Sequence, residues 1–377
     1  IVPEHIWADI DDPTTYRNPD PVGTGPYTLG NFAAAQYTVD KNQDYWQADT
    51  VAAEHIILPA TNTQLDIATK GYDWAYSFIS DVEGTWVAAG NQNTYWFPPG
   101  GTVALFPNLT KAPFNDLNVR LGLSTALDRE AVGDAAAEGY MELAGQTNIL
   151  LPNQQAFLNP DIPNSGFVTA DTDRALEYFA AAGYTLRDGK LVDASGTQMS
   201  FTITTANGYN DWLKGVQNVQ KQWGAIGIDV KLESPQPAAY TLAQRNGEYD
   251  MAMGGTGGTG SIFRDFNALL SSDYLKPVGE EASNNFERFS DPEADAVLEK
   301  FKLAVDDEEQ VELGYQLQQI VYDQIPVISL YYGGSWGLFS EAKFTGWPSE
   351  DDPYASPKTY ESTPLLVLTH LKAVTDD

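Results

Sequence analysis

The chain contains no cysteine, which removes disulfides, thiolate metal sites and a cysteine nucleophile together. Histidine is nearly as scarce: His5, His55 and His370 lie in three separate segments without ligand-like spacing, so no histidine metal site is expected. Positive charge is in short supply, with 21 Lys plus Arg against 52 Asp plus Glu and a formal net charge of −31. Phosphate backbones and anionic membranes are repelled by such a surface, which excludes nucleic acid and lipid as partners and favours a neutral or weakly charged ligand. No stretch approaches 18 unbroken apolar residues, so no membrane span is expected. Ile1-Val-Pro-Glu-His5 shows neither the basic nor the apolar region of a signal peptide, which a mature exported protein would also lack.

The 377 residues allow two or three domains, and 42% apolar with 19% charged residues is a globular composition. The run Pro21-Val-Gly-Thr-Gly-Pro-Tyr27 is a turn signal. It leads into short strands at Tyr27–Phe32 and Gln36–Val39, and Tyr45 and Trp46 follow as an aromatic plug. Further strands are expected at 53–59 and 102–106, with a helix near 61–70 capped by Asn62 or Thr63 and ended by Gly71.

From Pro113-Phe-Asn-Asp116 onward, Leu117, Leu121, Leu127 and Val132 predict one amphipathic helix to about Ala137. Helices at 172–182, 211–226, 240–246, 291–305 and 307–324 alternate with strands at 191–192, 199–204, 228–232 and 249–253, the pattern of an α/β lobe. The apolar run Ile325–Tyr332 reads as a buried strand, and Leu365–Leu371 as a strand that ends the chain.

The hairpin signature closely resembles one found in the family 5 extracellular solute-binding proteins, receptors of ABC importers for peptides, nickel and oligosaccharides. The resemblance continues in order along the chain. It is carried by Gly71-Tyr-Asp-Trp74, by Pro113 to Val132, by the segment ending Ile226-Gly-Ile-Asp-Val230, and by Asp306-Asp307 with Ile325-Pro-Val327. It implies an α/β, two-lobed, periplasmic-binding-protein-like fold (type II, family 5) with mixed sheets. The chain would supply part of lobe I (1–110), lobe II (111–329) and a return to lobe I (330–377). Relatives begin with a substantial N-terminal segment, so the chain resembles the family fold without that segment. The resemblance further implies an extracytoplasmic binding protein, periplasmic or anchored on the outer side of a bacterial membrane. It would be monomeric and without cofactor, would close on its ligand and would then dock on an ABC permease.

The ligand class follows from two comparisons with the family. Peptide-binding relatives carry Gly-Trp-x-x-Asp where this chain has Gly254-Gly-Thr-Gly-Gly-Thr-Gly260, without the Asp that anchors a peptide amino group. Asp73-Trp74 with Phe78, Tyr95-Trp96, Tyr209-Asn210-Asp211-Trp212 and 344–354 resemble the oligosaccharide-binding branch, closest in style to cello-oligosaccharide binders. Flat indoles suit the apolar faces of a pyranose, and Asn, Asp and Thr suit its hydroxyl rim. Trp74, Trp96 and Trp212, which follow turns or open helices, are the expected platforms with Phe78 and Tyr209, and Trp336 is a further candidate. Asn108 is expected either to close an Asx turn or to bond ligand from the lobe crossing, and Gly255 and Thr256 to let backbone approach the ligand. Trp46, Trp223 and Trp347 are assigned to packing.

A cellobiose, cello- or manno-oligosaccharide is therefore the expected ligand, with a di- or oligopeptide of the same family as the alternative. A glycoside hydrolase is a further alternative, since 52 acids supply any number of carboxylate pairs. Gly255 to Gly260 also fits the dinucleotide pattern G-x-G-x-x-G, in a weak βαβ context and without a P-loop lysine. Acidic pairs such as Asp351-Asp352 read as caps or solvated turns, not as calcium loops.

Overall fold

The computed structural model describes residues 2–61 and 63–375. By its contacts the chain divides into two compact units, Ile1–Pro98 with Ser335–Asp377, and Pro99–Gly334. The crossings expected near 110 and 330 thus fall at 98/99 and 334/335. The strand Pro99–Pro107 goes wholly to the second unit because both its neighbours in the sheet lie there.

The first unit holds two three-stranded sheets. Tyr27–Ala33 pairs antiparallel with Gln36–Lys41 across a two-residue loop, as Ala33 stands opposite Gln36, and His55–Pro59 joins the far side. Trp46 is 79% exposed, which corrects its assignment to packing. The Asn42 side chain accepts from the Asp44 amide, and the turn so closed leaves the indole outside. The helix Gln64–Thr69 is capped by Thr63, whose hydroxyl accepts from the Asp66 amide, while Asn62 lies outside the described residues. The second sheet orders Trp74–Tyr76, Gly337–Ser340 and Asn93–Trp96, and packs one face on Trp347 and Val367.

The segment expected as a terminal strand is the helix Thr363–His370. Its apolar run is too short for periodicity to separate strand from buried helix, and Pro364 in the first turn is pre-set for helix.

The second unit is built on a five-stranded sheet. In order it contains Asp229–Glu233, Ser200–Thr204, Met251–Thr256, Pro99–Pro107 and Ile328–Gly334. The first three run parallel, and Pro99–Pro107 lies antiparallel to both its neighbours. The last strand therefore runs with the first three. Side chains alternate between faces. Ala104 and Phe106 join the buried cluster of helices Ile262–Leu270, Pro292–Leu303 and Asp307–Gln324. On the other face Gly215 of helix Asn210–Ala225 meets Met253, and Gly133 of helix Arg129–Ala137 meets Tyr331. Helices on both faces of a mostly parallel sheet are the expected α/β layers.

The single helix expected to run to Ala137 is two, Leu117–Thr125 and Arg129–Ala137. Asp128 breaks it by leaving helical geometry and capping the Ala131 amide with its carboxylate. Leu127, in the break, stays fully buried, which is why the apolar spacing runs through it.

Candidate functional site

Parallel strands place their carboxyl ends along one edge of the sheet, where the helix that follows each strand begins and ligands of open α/β sheets bind. In the second unit this edge is formed by Thr204, Glu233, Thr256 and Gly334. Helix Asn210–Ala225 starts here, six residues after Thr204, and brings Tyr209, Asn210, Asp211 and Trp212 to the edge that carries Gly255 and Thr256. Six of the eleven expected site residues thus share one edge.

The strand Met251–Thr256 runs three residues past its expected end, so Gly254, Gly255 and Thr256 are ladder residues opposite Ala104, Val103 and Thr102. A Cβ at Gly255 would touch nothing closer than 3.9 Å, so the backbone lies open there. The glycine turn does lead into a helix, Ile262–Leu270, but the amides of Thr259, Ser261 and Arg264 at its start are already engaged by side chains. Ser261 caps the helix, and the buried Asp265 carboxylate accepts from the Thr259 amide at 3.0 Å. A carboxylate where a pyrophosphate would sit is incompatible with dinucleotide binding.

Tyr209 is 44% exposed and meets the half-buried Trp212 edge-on, with ring centroids 5.2 Å apart; Trp212 in turn leans on Tyr240 at 6.3 Å. Asp211 is buried beside them, and burial pushes its carboxyl up to about 6 although first-turn amides and Lys214 favour the charge. A carboxyl poised in that range both accepts and donates hydrogen bonds near neutral pH. Tyr331, within the apolar run Ile325–Tyr332, contributes a buried hydroxyl without a hydrogen-bond partner, and burial, with the Asp211 charge beside it, raises its resistance to ionisation.

Asn108, expected either to close an Asx turn or to bond ligand, has its side chain engaged within the fold. Its Nδ2 donates to the carbonyls of Gly247 and Tyr249, and its Oδ1 accepts from the Thr110 amide and hydroxyl, so the fully buried side chain is saturated. The Asx turn is the reading that holds.

The first unit gathers the remaining aromatics. Trp74 and Trp96 lie on one face of the sheet Trp74–Tyr76, Gly337–Ser340, Asn93–Trp96, half-buried against Phe339 and Trp347. The Trp74 indole N–H donates to the Pro357 carbonyl, so that ring offers only a face. Phe78 and Trp336 are buried edge-to-face at 5.0 Å, with Phe97 at 5.0 Å on Trp336. Trp223 and Trp347 are buried as expected of packing residues. Among the described residues no three His, Asp or Glu side chains group as metal ligands, and no helix is long and apolar enough to cross a membrane.

Residues 1–273 match the model of the bacterial extracellular solute-binding proteins, family 5, middle region, and the chain belongs to that family. A di/tripeptide-binding protein of Pseudomonas aeruginosa is 26% identical over 82% of this chain and 56% of its own length. The chain therefore spans little more than half of that relative. A periplasmic oligopeptide-binding protein of an ABC transporter from Thermotoga maritima, solved with mannohexaose bound, superposes with a TM-score of 0.89 at 24% identity, over 99% of this chain and 73% of that one. The oligopeptide-binding protein AppA of Bacillus subtilis, solved with a nonapeptide, gives 0.78 at 20% identity, over 100% of this chain and 72% of that one.

Proposed function

We propose that this chain is the solute-capturing part of an ABC importer's binding protein. It works outside the bacterial cytoplasmic membrane and holds an oligosaccharide without covalent chemistry. The observation that carries this reading is the Tyr209–Trp212 pair beside Asn210, Asp211 and Thr256 at the carboxyl edge of the second sheet. A half-buried indole next to groups that both donate and accept is the surface a pyranose needs. On the first unit, taken by itself, the half-buried Trp74 and Trp96 are proposed as aromatic surfaces, whereas Phe78 and Trp336 are buried against each other; on the second unit Gly255 is proposed as a point of close backbone approach. The mannohexaose complex of the Thermotoga maritima protein supports a cello- or manno-oligosaccharide. A permease is the partner this role requires.

A peptide ligand is the second reading, favoured by the names of the Pseudomonas aeruginosa and Bacillus subtilis proteins and by the nonapeptide held by AppA. Calorimetric titration with mannohexaose, cellohexaose and trialanine separates the two. Heat with a hexaose alone supports the sugar receptor, and heat with trialanine alone replaces it with the peptide receptor.

A further inference from the structure

Asn148 stands next to the glycine strand and was not among the residues singled out in the sequence. Its side chain is 3% exposed, and its Oδ1 accepts from the Thr256 hydroxyl at 3.1 Å. The Nδ2 has no acceptor and is closed off from solvent. Exchanging the amide's oxygen and nitrogen only changes which atom is left over, since Thr256 engages one of them. A buried amide atom without a partner is costly to keep. The backbone adds to that cost, because Asn148 sits at φ 57, a left-handed conformation that asparagine tolerates better than most residues. Both features persist where a fold gains something else by them.

The surroundings indicate what is gained. Thr205 and Ser234, directly after the strands Ser200–Thr204 and Asp229–Glu233, and Tyr331 also carry buried hydroxyls without partners. With Asn148 on Thr256, three of the second unit's unpartnered side chains stand at the carboxyl edge, and Tyr331 lies in the last strand three residues before its end at Gly334. Gly257, at φ +71, lies beside the oxygen end of the amide: a Cβ there would stand 3.5 Å from Asn148 Oδ1 and 3.9 Å from the Asn148 carbonyl. A turn of Gly257-Gly258 has no side chains to withdraw when it shifts. Ile149, the next residue, belongs to the buried cluster on which Trp212 packs.

We propose that the Asn148 amide reads the bound solute, donating from Nδ2 to a hydroxyl or carbonyl oxygen as the Gly257-Gly258 turn yields. Thr256 orients the amide by donating its hydroxyl to Oδ1. This rests on the solute-binding reading of the same edge.

The test is titration of the parent protein, Asn148→Gly, Asn148→Asp and Trp212→Ala with mannohexaose and with trialanine, beside the unfolding midpoint of each protein without ligand. Asn148→Gly keeps the left-handed backbone and removes the amide, and Asn148→Asp keeps an acceptor for Thr256 and removes the donor. The expected result is at least about tenfold weaker binding of the recognised probe by both Asn148 variants, with unliganded midpoints near the parent's. Parental affinity in both, with weaker binding by Trp212→Ala, overturns the role of Asn148 and leaves the binding edge in place. Parental affinity in all three removes the edge as well. A parent that binds neither of these probes nor cellohexaose ends the solute-binding reading and this inference with it. Unliganded midpoints that fall in both Asn148 variants assign the side chain to the fold instead.

Discussion

Arg129 and Ser329 are 200 residues apart in the chain and joined by a 2.8 Å hydrogen bond from the buried guanidinium Nε to the carbonyl. The same guanidinium donates to the carbonyl and hydroxyl of Ser124. Arg120, nine residues earlier, does the equivalent for Gln324 and Ile325 at the end of helix Asp307–Gln324. The motif that makes Pro113 to Val132 recognisable is thus a pair of buried cations that close off carbonyls.

Arg129 keeps its charge although burial pulls its pKa down to about 10. Arg129→Met leaves those carbonyls without donors, and a loss of about 3 kcal/mol in unfolding free energy is expected. Urea denaturation measures it. A loss below about 0.5 kcal/mol would mean that solvent or neighbouring donors replace the guanidinium.

Glu287 is fully buried, and neither carboxyl oxygen has a partner. Burial pushes its pKa from 4.5 up to about 8, and Arg288, which faces it together with Tyr249, only partly offsets that. Arg288 spends its own donors on the carbonyls of Lys276, Arg245 and Glu280. Between the unfolded and folded values the native state binds the extra proton, so this residue makes stability fall as pH rises through that window. The slope is at most about 1.4 kcal/mol per pH unit. Glu287→Gln should therefore gain on the parent progressively from pH 5 to pH 8. Denaturation series at the two pH values with parallel shifts in both proteins would refute the assignment.

Gly122 faces Phe179 where helices Leu117–Thr125 and Thr172–Ala181 cross, and a Cβ there would stand 2.7 Å from the ring. The ring is fully buried and has nowhere to retreat. Gly122→Ala should cost about 1–3 kcal/mol despite its better helix propensity. Thermal unfolding reads the sign, and a stabilised variant would show that the helices separate freely.

Trp212→Ala removes the indole between Tyr209 and Tyr240. About tenfold weaker oligosaccharide binding is expected, the equivalent of ~1.4 kcal/mol. Unchanged affinity in a folded variant takes Trp212 out of the site.

Much of this layout was legible because it is local. Caps and stops such as Thr63, Asp171, Asp306, Gly183 and Gly227 bound their helices where the residue types indicate. The α/β alternation from 172 onward follows from apolar segments bounded by such caps and glycine stops. What failed depended on partners distant in sequence. Asp128 interrupts a helix whose apolar spacing continues through the break, and Thr363–His370 has strand composition but packs as a helix through Val367. Of the candidate site, Tyr209 to Trp212 was visible as an aromatic and polar cluster at a helix start. Asn148 and Tyr331 were not, because an unpartnered buried group is defined by what surrounds it. Asn108 looked equally available until its four hydrogen bonds were placed.

Capture of a sugar is what calorimetric titration decides. Mannohexaose, cellohexaose and trialanine are titrated into this chain and into any longer natural form of it. Micromolar or tighter binding of one hexaose and none of trialanine is expected. Binding of trialanine with silence from both sugars would contradict it.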